Sequence, residues 1–176
     1  MKELNPIFRR FVVQGTIAHY LYEYNDGIRS ALFQLKGCYD IELSSIFFNY
    51  QSSFLHMKYR GFTMICAPSS PDSDYVRGFN HVVEMFRLID LPIVSAINKT
   101  SPVKQADLDY EERQKIGDVL EWKCDVDIKG KKILLVDDVY TTGATIKACL
   151  HLVKQHHPRK VEILVMSKTA KIGSGR

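Results

Sequence analysis

Residues 133–145 have the sequence ILLVDDVYTTGAT, and this stretch decides the fold. Its first four residues are all apolar, which is typical of a strand that is buried on both faces of a parallel sheet. Two adjacent acids, Asp137 and Asp138, follow where the strand is expected to emerge. A turn of hydroxyl residues and glycine then leads into apolar residues at helical spacing. A buried strand that passes directly into a helix indicates an α/β protein.

The order of strand, acids, turn and helix predicts a site for a phosphorylated sugar. Ligands of open α/β sheets lie beyond the carboxyl ends of the strands, and the first turn of a helix attracts phosphate. Gly143 lets a phosphate approach the backbone closely, while hydroxyl donors come from Thr141, Thr142 and Thr145. The acidic pair, Asp137 and Asp138, would repel phosphate, but it can accept hydrogen bonds from a diol or lie in the outer shell of Mg²⁺. The alternative is a solvated turn in which a threonine caps the helix.

The remaining chain alternates between strand and helix patterns. Strands are predicted at residues 16–24, 62–67, 92–97, 132–136 and 161–165, and helices at residues 28–36, 40–57, 80–90, 108–119 and 143–156. Asn80 is expected to cap the helix that follows it. This alternation predicts a mainly parallel sheet that is flanked by helices on both faces.

Composition and length describe an ordinary globular chain. The 176 residues suffice for one domain with a core of its own, and the 45% hydrophobic and 25% charged residues are typical values. No apolar run has the length of a membrane span, and the start MKELNP does not resemble a signal peptide. The four cysteines lie far apart without a C-x-x-C pair, which predicts free intracellular thiols and no four-ligand zinc site. The net charge of +4 suits a phosphorylated ligand without requiring one.

Two further motifs can contact phosphate. The sequence APSSP at residues 67–71 follows a predicted strand, so Pro68, Ser69 and Ser70 are expected at the same sheet edge as the acidic pair. The alternative for this loop is a plain turn at the end of a strand. Arg77 precedes a glycine at a helix start and can clamp a phosphate.

Residues 99–113 contain several cations between a strand and a helix. A solvated loop and helix surface is one interpretation, and a mobile lid that closes over the substrate is the other. For the lid, Lys104 is the first candidate for a charge-neutralising cation and Arg113 the second. The histidines near the end of the following helix are not expected to bind a metal.

The stretch at residues 133–145 resembles the 5-phosphoribosyl-1-pyrophosphate (PRPP) signature of type I phosphoribosyltransferases. Further motifs narrow the resemblance, in this order: GIR at 27–29, LKG at 35–37, RGFN at 77–80, KQ at 104–105 with Leu108 and Arg113, and then the signature. Their order and spacing are similar to the ComF competence-protein family, whose members are also called amidophosphoribosyltransferase-like. The resemblance extends over residues 16–167.

The resemblance implies a role for each matching residue. Asp137 and Asp138 hold the ribose hydroxyls, and the glycine turn at residues 141–145 binds the 5-phosphate through Thr141, Thr142, Gly143, Ala144 and Thr145. Pro68, Ser69 and Ser70 form the pyrophosphate loop, while Lys104 and Arg77 supply catalytic positive charge. Mg²⁺ enters with PRPP and has the acidic pair in its outer shell. Thr141 occupies the position of the acidic base of purine-specific relatives, so purine salvage is not expected.

The resemblance also implies a type I phosphoribosyltransferase fold with a small N-terminal hood. The chain is expected to form one domain over residues 1–176, with the hood and first helices in residues 1–60 and the PRPP-binding core in residues 61–167. The zinc ribbon that begins many family members is absent from this sequence.

The expected function is phosphoribosyl transfer to a nitrogen acceptor, linked to DNA uptake in natural competence. The alternatives are a non-catalytic PRPP-binding regulator and a structural partner of a DNA-uptake ATPase. Expected partners are PRPP, a ComFA-like ATPase, single-stranded DNA and a second copy of the chain, all in the cytoplasm.

Overall fold

The computed structural model describes residues 6–37, 41–69, 75, 78–100 and 119–170. In chain order its elements are β1 (Arg9–Val13), β2 (Thr16–Glu23), α1 (Asp26–Gly37), a 3₁₀ helix (Ile41–Phe47), α2 (Ser52–Lys58), β3 (Phe62–Cys66), α3 (His81–Arg87), β4 (Ile97–Thr100), β5 (Val119–Trp122), β6 (Lys132–Tyr140), α4 (Ala144–Gln155) and β7 (Lys160–Lys168). Within these ranges, no helix has both the length and the hydropathy that a bilayer span requires.

The larger of two sheets has the strand order β1-β2-β7-β6-β3. Only β1 is antiparallel to its neighbour, and the pairs β2–β7, β7–β6 and β6–β3 are all parallel. The carboxyl ends of these four strands therefore lie at one edge of the sheet, where α/β proteins bind ligands. β4 and β5 form a separate antiparallel pair.

Helices cover both faces of the larger sheet, which confirms the predicted α/β class. Side chains alternate between the faces along β6. Leu134 and Val136 pack in a core with α1, the 3₁₀ helix, α2 and α3, whereas Ile133 and Leu135 pack in a second core with α4. This alternation explains why the central strand is apolar at every position from Ile133 to Val136.

One predicted helix is wrong in its continuity. The sequence predicted a single helix over residues 40–57, but a 3₁₀ helix ends at Phe47 and α2 begins only at Ser52. The Tyr22 hydroxyl on β2 donates a hydrogen bond of 2.8 Å to the Phe47 carbonyl oxygen. The amide of Gln51, which a continuous helix would pair with Phe47, instead donates to the Phe48 carbonyl at 3.0 Å. A tertiary contact therefore accompanies the break in the local helical pattern.

The strands also differ from prediction. β6 continues through the acidic pair to Tyr140, because β7 runs beside it as far as Lys168. The strand predicted at residues 92–97 is reduced to a single bridge between Ile93 and Met64, and β4 starts only at Ile97. β1 was not predicted.

The predicted helix at residues 108–119 lies outside the described residues except for Val119, which begins β5. Within the segment assigned to the hood, β1 and β2 are strands of the central sheet. The boundary between a hood and a core at residue 60 stays a prediction.

Candidate active site

The acidic pair lies in the second half of β6, and its two side chains project to opposite faces of the sheet. Asp138 faces α1 and α3, and its residue is buried. Burial raises the pKa of the Cys66 and Cys149 thiols, and the nearby Asp137 carboxyl adds to the rise at both. The pair is therefore one buried carboxylate and one partly buried carboxylate in different surroundings.

Asp138 is held from two elements and by its own backbone. Its Oδ2 atom lies 3.1 Å from His81 Nε2, at the start of α3, and also contacts the Lys36 ammonium near the end of α1. Its Oδ1 atom accepts a hydrogen bond of 2.6 Å from the amide of Val139. Both oxygens of this carboxylate thus have donors within the protein.

These surroundings shift the two pKa values apart. Burial acting alone would raise the pKa of the Asp138 carboxyl, but the His81 hydrogen bond and the Lys36 charge hold that pKa below its usual value. Burial raises the pKa of Asp137 well above its usual value, and the neighbouring Asp138 charge adds to the rise. Two adjacent carboxyls in low dielectric do not ionise equally. Asp138 is therefore the stable anion of the pair.

The glycine turn at residues 141–145 connects the acidic pair to α4. Gly143 has φ +75° at the N-terminal cap of α4, and a Cβ atom there would overlap the Tyr140 ring. Thr141, Thr142 and Thr145 are exposed. The Lys147 ammonium donates a hydrogen bond of 2.9 Å to the Thr142 carbonyl oxygen, so a cation also lies beside the turn. Amides at a helix start, together with hydroxyls and a cation, are suited to bind an anion.

The loop after β3 lies at the same sheet edge as the acidic pair. Cys66 pairs with Val136, and the amide of Ala67 donates to the Val136 carbonyl oxygen at 2.8 Å. Asn80 fixes the loop further, since its Nδ2 donates to Ser69 Oγ at 3.0 Å while its Oδ1 accepts from the amide of Val83 at 3.0 Å. The predicted cap of α3 is confirmed, and the same side chain also ties α3 to the loop.

A cleft of about 410 Å³ opens beside this loop. It is lined by Pro68 and Ser69 on one side and by Asn98 and Lys99 of β4 on another. Hydroxyl, amide and ammonium groups thus surround a space large enough for a diphosphate. The apolar residues Val83 and Ile93 form part of its wall.

The comparisons with known proteins agree with this geometry. A phosphoribosyl transferase domain model matches residues 91–171. The competence protein ComFC of Streptococcus pneumoniae is 29% identical over 144 residues, which cover 81% of this chain and 64% of that protein. The competence protein ComFC of Bacillus subtilis is 29% identical over 128 residues, which cover 72% of this chain and 53% of that protein. The chain is therefore similar to ComFC proteins and contains a match to a phosphoribosyl transferase domain, which supports a ComFC-like protein of the type I phosphoribosyltransferase class.

This ComFC-like chain matches only part of its relatives, since it spans between about half and two thirds of the length of the two ComFC proteins. Among solved structures, a hypoxanthine phosphoribosyltransferase from Staphylococcus aureus is similar with a TM-score of 0.46 and 16% identity. That similarity covers 75% of this chain and 69% of that structure.

The predicted site residues of the ComFC-like chain fall into two groups. The structure brings together, at one sheet edge, the acidic pair, the glycine turn and the start of the loop after β3 with Pro68 and Ser69. The other predicted residues lie outside the described part of the chain: Ser70, Arg77, Lys104 and Arg113. The roles of both groups stay predictions.

The sequence interpretation gave no role to two residues that contact Asp138. Lys36 occurs in the LKG motif, and His81 directly follows the RGFN motif. Their proximity to those motifs was the only available signal, because a lysine near the end of a helix and a histidine after a cap have no distinctive local pattern. His81 is 57 residues from Asp138 in sequence, so only the fold reveals the contact.

Proposed function

We propose that this protein binds PRPP and transfers its phosphoribosyl group to a nitrogen acceptor with release of pyrophosphate. One observation supports the proposal most strongly. The acidic pair, the glycine turn and the loop after β3 all lie at the carboxyl edge of adjacent parallel strands, where one ligand could contact all three. The phosphoribosyl transferase domain match over residues 91–171 supports the same substrate class.

In this proposal each part of the edge binds one part of PRPP. The acidic pair accepts hydrogen bonds from the ribose hydroxyls, and residues 141–145 bind the 5-phosphate. Gly143 permits the close approach, because any side chain at φ +75° would be strained and would overlap Tyr140. The loop with Pro68, Ser69 and Ser70 holds the diphosphate. Arg77 and Lys104, whose roles are predicted from the sequence, contribute positive charge.

The residues also suit a magnesium ion that is delivered with its substrate. In the part of the chain that the structure describes, no three His, Cys, Asp or Glu side chains are close enough together to hold a metal by themselves. Mg²⁺ commonly binds through one or two carboxylates and substrate phosphates. When bound with PRPP, Mg²⁺ would neutralise part of the diphosphate charge. Asp137 and Asp138 are the side chains in place to orient its outer shell.

Catalysis would then rely on positioning and charge. Departure of pyrophosphate leaves positive charge at C1 of the ribose, and a fixed carboxylate beneath the ring is favourable to that charge. Asp138 suits this task because the buried His81 and the Val139 amide hold its carboxylate in place. Holding acceptor and C1 in contact supplies the remaining advantage.

Binding is tested by calorimetric titration of PRPP with Mg²⁺. The double variant Asp137→Asn/Asp138→Asn should weaken PRPP binding at least tenfold, because hydrogen bonds to charged groups contribute about 1.5–3 kcal/mol each. The control Asp125→Asn/Asp127→Asn makes the same two replacements at exposed residues between β5 and β6 and should bind normally. Circular dichroism at the titration temperature checks that each variant is folded. Equal affinity in the wild type and the acidic-pair variant would contradict the proposed ribose site.

Turnover is tested separately by pyrophosphate release from PRPP across a panel of nucleobases and small amines. Release with one acceptor supports a transferase and identifies that acceptor. PRPP binding without release from any acceptor supports a regulatory protein instead.

The cellular role is also part of the proposal. The two relatives named ComFC are competence proteins. We propose that this chain acts in DNA uptake in the cytoplasm as a homodimer. Its proposed partners are a DNA-uptake ATPase and single-stranded DNA. Binding of single-stranded DNA would weaken steeply with salt. Salt-independent binding, or none at low salt, would contradict the DNA contact.

A further inference from the structure

Both carboxylate oxygens of Asp138 already contact donors of the protein, which affects how a sugar can bind there. Its Oδ2 atom is shared by His81 and Lys36, and its Oδ1 atom accepts from the Val139 amide. A ribose hydroxyl that donates to this carboxylate must therefore share or replace one of these donors.

The three donors differ in how easily each can move away from the Asp138 carboxylate. The Val139 amide is part of β6, and His81 is buried in the first turn of α3, where the Asn80 cap fixes the backbone. Lys36 lies near the end of α1, and 36% of its side-chain surface is exposed. A lysine ammonium is a point charge on a flexible four-carbon stem, so it can move while its helix stays in place. Lys36 is the donor that can exchange.

The start of α3 links the surroundings of Lys36 to the loop proposed for the diphosphate. Asp138 touches His81, the neighbouring Asn80 donates to Ser69, and Ser69 lies in the loop proposed for the diphosphate. Lys36 and the diphosphate loop are thus joined through a short series of contacts around the start of α3. A cation released from Asp138 has the phosphate end of PRPP on the same side of the sheet edge.

We infer that Lys36 exchanges its partner when PRPP binds, leaving Asp138 to the ribose hydroxyls and pairing with the diphosphate. This inference rests on the proposed PRPP site and adds a device for substrate selection. Ribose 5-phosphate has the same hydroxyls and the same 5-phosphate, but it has no diphosphate to receive the ammonium. It must therefore displace Lys36 without compensation. A ligand can shift an equilibrium only by its difference in affinity for the two states, so Lys36 favours PRPP over ribose 5-phosphate.

The test compares both ligands by calorimetry, with Mg²⁺ present, on the full chain. Lys36→Met keeps most of the stem and removes the charge. It should bind ribose 5-phosphate at least threefold more tightly and PRPP at least threefold more weakly than the wild type, so the ratio of the two affinities changes about tenfold or more. Lys36→Arg keeps the cation and should retain most of the preference. Arg29→Met removes an exposed cation from the same helix and should change neither affinity.

A merely structural ion pair makes a different prediction. In that case Lys36→Met would alter both affinities by the same factor, or neither, and this result would overturn the inference while PRPP binding by the wild type still stood. A wild type that binds neither ligand would instead refute the proposed site itself, and this inference with it. If Lys36→Met does not fold, as judged by circular dichroism, Lys36→Gln keeps a hydrogen-bond donor without the charge and is subject to the same comparison.

Discussion

Replacing the two neighbouring acids one at a time by asparagine should lower the free energy of unfolding at Asp138 but not at Asp137. Asp138 Oδ2 accepts from the buried His81 and contacts Lys36, while Oδ1 accepts from Val139. An asparagine has only one acceptor oxygen, so its NH₂ group must face one set of these donors. Asp138→Asn therefore loses hydrogen bonds and leaves a buried donor without an acceptor.

The size of the loss follows from the exposure of each partner. The His81 contact is buried and hydrogen-bonded to a charge, which corresponds to about 1.5–3 kcal/mol. Lys36 is 36% exposed, so solvent screening limits its pair to about 1 kcal/mol or less. Asp138→Asn should therefore lower the free energy of unfolding by about 2–4 kcal/mol at neutral pH.

Asp137→Asn should instead maintain or raise stability at neutral pH. The folded state raises the pKa of Asp137 through burial and the Asp138 charge, so it binds this proton more tightly than the unfolded chain does. Stability is lost from this group as pH rises from its unfolded value of about 4 through the raised folded pKa. The asparagine variant lacks that loss, and its Oδ1 can still accept from the Asp138 amide as the aspartate does at 2.9 Å. The stability advantage of Asp137→Asn over the wild type should therefore grow as pH rises above about 4.

Urea unfolding followed by fluorescence of the single tryptophan measures both effects. Unchanged m-values would show that the variants differ in stability and not in the extent of unfolding. Asp125→Asn, an exposed acid on the same chain, is the control for loss of one charge. Equal losses for Asp137→Asn and Asp138→Asn, or a change below about 0.5 kcal/mol for Asp138→Asn, would refute the assignment of partners.

Three further outcomes are expected. Gly143→Ala should abolish binding of ribose 5-phosphate and PRPP, as measured by calorimetry. The control Gly15→Ala has a similar φ of +74° but no atom within 4 Å of the added Cβ, so it should lower only the stability measured by urea unfolding. Asn80→Ala should cost about 1 kcal/mol in urea unfolding through the lost helix cap and should weaken PRPP more than ribose 5-phosphate, because the diphosphate loop loses its anchor. Burial raises the pKa of Cys149 to about 12, so it should resist alkylation at pH 8 while exposed Cys124 reacts, as mass spectrometry would reveal.

The sequence by itself determined those parts whose physics is local. The apolar run before the acidic pair specifies a strand that is buried on both faces, and the structure has β6 there. Gly143 permits a positive φ at the helix start, and Asn80 caps α3 through a hydrogen bond three residues away. The alternation of strands and helices then restricts the chain to an α/β class.

Only the tertiary structure decided which side chains surround those local elements. The sequence pattern at residues 40–57 does not indicate that the Tyr22 hydroxyl donates a hydrogen bond to the Phe47 carbonyl oxygen, where the helix is interrupted. Likewise nothing near Asp138 in sequence indicates that His81 and Lys36 converge on it, because these contacts arise when α1 and α3 pack on the same face of the sheet. The physical reason is the distance along the sequence over which each interaction acts. Strand, turn and cap preferences act over a few residues, whereas the ionisation and orientation of the carboxylate depend on charges that folding brings together.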